Sequence, residues 1–187
     1  MAVRQYAVES MLFRISGMLD AHIAGAESSA AALAALEAFA VEASIVKVAG
    51  SEMLDYVVDE NVQIHGGNGF VRDYPAERHY RGARVNRIFE GTNEINRMLT
   101  IDMLMKRAMK GSIDLMNPAM AVQKELMAIP DFGASDDGGV FAREKKALAN
   151  LKRAGLMVAG SAVQKFMTKL SEEQEVLMNL ADMLIEL

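Results

Sequence analysis

The chain has 187 residues, 51% hydrophobic and 24% charged, with 20 Lys+Arg against 25 Asp+Glu and a formal net charge of -5. That length and hydrophobicity allow a packed core and exclude general disorder, while the mild acidity argues against nucleic acid and against strong membrane binding. The lack of cysteine removes disulfides, thiol nucleophiles and cysteine-bound zinc, and no apolar run matches a membrane span or secretory signal, so the chain reads as a cytoplasmic, methionine-rich helical protein.

In residues 2–24, Val8, Met11, Leu12, Ile15, Met18, Leu19 and Ile23 recur at spacings of three and four, which predicts a helix with one apolar stripe. The small, polar stretch 25–29 predicts a helix end and then a serine N-cap. From Ala30 to about Ile64 no proline intervenes and apolar residues fall on nearly every face, predicting one long helix buried by several neighbours. Gly66-Gly67-Asn68-Gly69 ends it. Pro75 opens a short helix from Ala76 to about Asn86 that carries Arg78, Arg81 and Arg84, with Arg87 just beyond. Gly91-Thr92-Asn93 breaks the pattern again, and Thr92 or Asn93 is expected to cap a helix running to about Lys110. Residues 111–118 and 130–139 read as linkers around a short helix from Ala119 to Ala128. A helix from Phe141 to about Lys169 follows, and Ser171-Glu172-Glu173-Gln174 has the form of a capping box opening the last helix. The expected fold is all-α, an up-and-down helical bundle over 1–110, a linker with a short helix over 111–140, and a helical extension over 141–187 packing on the bundle.

Chemistry concentrates between Gln63 and Arg97, where two glycine-bearing breaks flank the arginine-rich helix. In Gln63-Ile64-His65-Gly66-Gly67-Asn68-Gly69-Phe70 the missing Cβ atoms would let a ligand lie against bare backbone, although the same residues also suit a plain helix cap and turn. In Phe89-Glu90-Gly91-Thr92-Asn93-Glu94 a carboxylate precedes a glycine and a helix start. Held beside Phe89 in a closed pocket it would serve as general base for a carbon acid; in open solvent it would be an ordinary loop glutamate. The arginines recur every third residue, which favours pairing with neighbouring carboxylates over one phosphate patch. His22, His65 and His79 lack ligand spacing, and no metal is assigned.

QIHGGNGF followed by RHYRGARVNRIFEGTNEINRML closely resembles the C-terminal helical domain of the acyl-CoA dehydrogenases, and the resemblance covers roughly residues 1–110. It implies that Glu90 removes the α-proton of an acyl-CoA thioester while a hydride leaves the β-carbon for FAD, giving the trans-2-enoyl-CoA. It implies that Gly91 lies beside the substrate and that Thr92, Asn93 and Glu94 line FAD. Gln63, Ile64, His65, Gly66 and Gly67 would contact the FAD of a neighbouring subunit, implying a homo-oligomer, dimer or tetramer, with a shared cofactor site. Electron-transfer flavoprotein is the acceptor that the family implies. Where the family usually has Arg-Asp, this chain has Arg81-Gly82. The family's N-terminal helical domain and middle β-domain have no counterpart here, so the expectation is a fragment, inactive alone, and the helices after Ser112 lean toward the long-chain type. The other expectation is a non-catalytic helical interaction module derived from the same domain.

Overall fold

The computed structural model describes residues 1–127 and 139–187; the predicted helix end at Ala128 and nearly all of the predicted linker at 130–139 lie outside them. Every regular element among the described residues is helical, as expected. The chain forms two compact units, residues 1–100 and 101–187.

The first unit is organised on one central helix. α1 (Ala2–Ala24), α2 (Ser29–Ala38), α4 (Gly67–Phe70) and α5 (Ala76–Arg84) all contact α3 (Ala40–His65), and a 3-10 turn, Val85–Arg87, leads toward α6 (Asn93–Met109). α1 half-buries Val8, Met11, Ile15 and Leu19, one side of the predicted stripe, and leaves Leu12, Met18 and Ile23 exposed. Its start is tied to α3 by Arg4, whose guanidinium stacks 4.2 Å over the Tyr56 ring. Ser28 is the expected N-cap, its Oγ accepting from the Ala31 N–H at 3.2 Å. The single helix predicted from Ala30 to Ile64 is instead two, bent by 50° across Phe39. The ring of Phe39 is 7% exposed and stands edge-on to His22 at 5.1 Å, so burying a large aromatic surface outweighs one unbroken turn of helix. Among the described residues no single helix is long and apolar enough to cross a membrane.

Glycine is required at two points of the α3–α4 corner. Gly66 ends α3 at φ 57°, a conformation that strains other residues. Gly69 is buried, and a Cβ there would overlap the Val62 carbonyl oxygen and come 2.9 Å from His65 Cβ. Gly69→Ala is therefore expected to destabilise the chain by about 1–3 kcal/mol, read from the midpoint of urea unfolding; Gly67→Ala, whose Cβ would meet open space, is the control.

In the second unit α8 (Ala142–Phe166) contacts α7 (Met116–Met127), α9 (Gln174–Glu186) and the 3-10 turn Met167–Glu172. Its buried apolar residues are Ile101, Ala162, Leu170, Leu177, Leu180 and Ala181. α7 begins three residues before the expected Ala119, because Asp114 Oδ1 accepts from the Asn117 N–H at 3.1 Å and Pro118 falls in the first turn, where no N–H is needed. The capping box does not form. Ser171 is drawn into the 3-10 turn and α9 starts at Gln174 with no side-chain cap. The turn buries Leu170, at 6% exposure, which a capping serine one residue later would pull away from the core.

Candidate functional site

The segment between α5 and α6 is built to present a carboxylate. Ile88 and Phe89 close the 3-10 turn by donating to the Val85 carbonyl at 2.9 and 3.2 Å. The chain then reverses through two successive left-handed residues, Glu90 at φ 56° and Gly91 at φ 79°. Glycine adopts this readily; glutamate does not, and such a conformation persists only where its surroundings impose it. α6 starts immediately after, with Thr92 Oγ1 accepting from the Ile95 N–H at 3.2 Å, the predicted cap. Glycine suits position 91 on two counts: the left-handed φ strains other residues, and a Cβ there would stand 2.9 Å from Asn96 Nδ2, which would have to shift.

The surroundings are a polar seam on α3. Asn96 Nδ2 donates to the Glu90, Gly91 and Thr92 carbonyls at 3.4, 2.9 and 3.1 Å. Lys47 Nζ donates to the Gly91 carbonyl at 2.7 Å and to Asn93 Oδ1 at 2.8 Å. Asn93 is wholly buried, with Nδ2 donating to Ser51 Oγ at 2.9 Å and to Glu52 Oε1 at 3.1 Å. Glu52 in turn receives both arms of the Arg97 guanidinium at 2.7 and 2.9 Å, and Arg87 pairs with Asp55 at 3.0 Å. Burial pushes the Glu52 carboxyl up, but the hydrogen bonds from Arg97 and Asn93 and the charges of Arg97 and Arg87 outweigh it, leaving it below the usual carboxylate value. The Glu94 carboxyl is also lowered, by its own backbone N–H at the helix start and by the Thr92 hydroxyl.

The predicted residues therefore separate by role. Glu90 is exposed, with Ile88 54% and Phe89 47% exposed beside it. The closed apolar pocket expected around that carboxylate is not formed by the described residues of this chain. Gly91 and Glu94 are exposed and Thr92 half-buried, whereas Asn93 has no exposed surface and holds the helix start from behind instead of facing outward. Gln63, Ile64, His65, Gly66 and Gly67 are all exposed at the far end of α3, with Ile64 at 68% and Phe70 at 82%. From Ser51 to Gln63 is twelve residues of α3, about 18 Å of rise, so this turn and the Glu90 loop lie well apart along the helix. Arg87 and Arg81 make the ion pairs anticipated for this helix, with Asp55 and Glu77. No cluster of His, Asp and Glu suited to a metal occurs among the described residues. An apolar groove of about 380 Å³ in the second unit, lined by Met105, Met116, Met120, Leu156 and Met157, contains no titratable side chain.

Lys47 and Glu52 lie far from the Glu90 motif along the chain, although the sequence carries a signal for them. Ser44, Lys47, Ser51 and Asp55 recur at spacings of three and four along α3, with Glu52 next to Ser51, which marks a polar seam facing another element.

Comparison with known proteins bears on this arrangement. The family model described as "Acyl-CoA dehydrogenase, C-terminal domain" matches residues 1–105, and a second model of the same description matches residues 150–187. A "Probable acyl-CoA dehydrogenase" of Bacillus subtilis is 42% identical over 188 residues, covering 97% of this chain and 31% of that protein. The very long-chain specific acyl-CoA dehydrogenase, mitochondrial, of Rattus norvegicus is 40% identical over 98 residues, 52% of this chain and 13% of its own length. The crystal structure of an acyl-CoA dehydrogenase complexed with FAD from Bacillus anthracis superposes with a TM-score of 0.90 at 43% identity, covering 99% of this chain and 31% of that one. The chain thus spans about a third of the length of the relatives that match it throughout.

Proposed function

The chain belongs to the acyl-CoA dehydrogenase family, through its C-terminal domain, and from that premise we propose that it supplies the general base and part of the flavin-binding wall for α,β-dehydrogenation of a fatty acyl-CoA. The observation that carries the proposal is the left-handed Glu90–Gly91 pair, strained, braced from α3, and offering an exposed carboxylate with no internal partner. Among the described residues that carboxylate has neither hydrogen bond nor ion pair, so the loop orders a group that does nothing for the fold.

In this reading Glu90 takes the α-proton of the thioester. Gly91, without a side chain, lets the thioester approach, and the Glu90 N–H polarises its oxygen. The α-hydrogen of a thioester is only weakly acidic, so the base needs apolar walls around it; Ile88 and Phe89 offer one, and the rest come from outside this chain. FAD, when bound, supplies the acceptor for the β-hydride. The residues present fit such a group: Gly66 and Gly67 expose backbone with open space where Cβ atoms would be, and Ile64 and Phe70 flank them with exposed apolar surface for a flat ring system. Thr92 and Glu94 at the α6 start would face a flavin, with Asn93 supporting them. The roughly 18 Å between loop and turn along α3 supports a cofactor shared between subunits of a homo-oligomer.

The test is a chimera in which residues 1–187 replace the matching region of the Bacillus anthracis dehydrogenase. It is expected to hold FAD and to lose the visible flavin band on anaerobic addition of acyl-CoA. A chimera that folds and stays yellow with every acyl-CoA tried overturns the proposal in favour of a non-catalytic module.

A further inference from the structure

We propose that Lys47 is the positioning residue for Glu90, acting through its ammonium on the Gly91 carbonyl; its bearing on catalysis rests on Glu90 being the base. Two consecutive left-handed residues, one of them a glutamate, need a restraint that favours this loop over its relaxed forms. Asn96 does not suffice. Its one amide nitrogen is shared among three successive carbonyls, at 2.9 to 3.4 Å, and two N–H groups cannot serve three acceptors well. Lys47 singles out the middle carbonyl with a short, charge-assisted bond of 2.7 Å, which fixes the plane of the Gly91–Thr92 peptide. The ammonium is itself fixed, because its second bond goes to Asn93 Oδ1, and Asn93 is locked by Ser51 and by the Glu52–Arg97 pair. The brace runs from the middle of α3 to the backbone next to the carboxylate, without touching the carboxylate.

The absence of native cysteine permits a clean test on the full 187-residue chain. Lys47→Cys can be alkylated to carry either an aminoethyl group, which restores an ammonium at nearly the reach of lysine, or a neutral carbamidomethyl group. The readout is the short intraresidue HN–Hα contact of a left-handed residue, measured by NMR at Glu90, with amide exchange in α3 and α6 as the folding control. The carbamidomethyl form should lose at least about tenfold in the ratio of left-handed to relaxed loop, as expected for removing a charge-assisted hydrogen bond. The aminoethyl form should regain most of it. Retention of the left-handed signature in the neutral form overturns the proposal, and so does loss that the restored ammonium fails to reverse while α3 and α6 stay protected. If the cysteine forms do not fold, Lys47→Arg decides: it keeps the signature if a cation is what matters, and its loss with α3 intact contradicts the assignment. Because none of these readouts involves turnover, the brace and the identity of the base fail independently.

Discussion

Glu90→Gln, in an acyl-CoA dehydrogenase carrying this chain as its C-terminal region, is expected to lower kcat by about 10²- to 10⁴-fold while FAD stays bound. Glutamine keeps the length and shape of the side chain but cannot take up a proton. The substitution is also structurally silent: the Glu90 carboxylate has no partner among the described residues, while the loop is held through the Gly91 carbonyl and the Thr92 cap. Stability should therefore change by no more than about 0.5 kcal/mol, the range of an exposed position without special contacts. Loss of activity accompanied by unfolding, or by loss of FAD, would instead give Glu90 a structural role.

Arg97→Met is expected to show the largest effect on stability, about 2–3 kcal/mol in urea unfolding. The guanidinium side chain is 12% exposed and grips Glu52 with both arms, so its removal strands a half-buried carboxylate that keeps only its bond from Asn93. A pair buried from all sides would cost more, and the 34% exposure of Glu52 places this one lower. The pH dependence has a definite sign. Folding lowers the Glu52 pKa, so the unfolded chain binds more protons in the acid range between the two values. The stabilisation is present above the unfolded value and is lost as pH falls through the folded one. Once Glu52 is protonated no charge is left stranded, and the gap between Arg97→Met and the parent should narrow on acidification. A gap that stays constant across that range would mean that Arg97 does not act through the charge of Glu52.

What could be read from the sequence follows from how local each determinant is. The Thr92 cap, the Gly66 helix stop and the short α5 after Pro75 depend on neighbours within four residues, and the residue pattern showed them. The break at Phe39 depends on a ring from another helix, His22, and carries neither glycine nor proline to announce it. Ser171 failed in the opposite sense: the local capping motif is present, but Leu170 gains more by turning inward than the serine gains by capping. The candidate site divides in the same way. Glu90 and Gly91 stand out as a motif, whereas the brace joins Lys47 to Gly91 across 44 residues and Glu52 to Arg97 across 45, contacts that no spacing along the chain reveals. Asn93 illustrates the difference best. Its place in the motif suggested a residue lining a ligand, and the fold buries it as the link between Lys47, Ser51 and Glu52.

The central claim is that Glu90 abstracts the α-proton, and hydride transfer can be removed from its test. An acyl-CoA analogue with no hydrogen at the β-position can lose and regain only its α-hydrogen, so incorporation of deuterium from heavy water at that carbon reports the base alone. With the chimeric dehydrogenase the α-hydrogen should exchange, and with its Glu90→Gln form exchange should fall by about the same 10²- to 10⁴-fold while FAD is retained. Exchange at the parent rate in the Glu90→Gln enzyme would contradict the account and move the base to another residue.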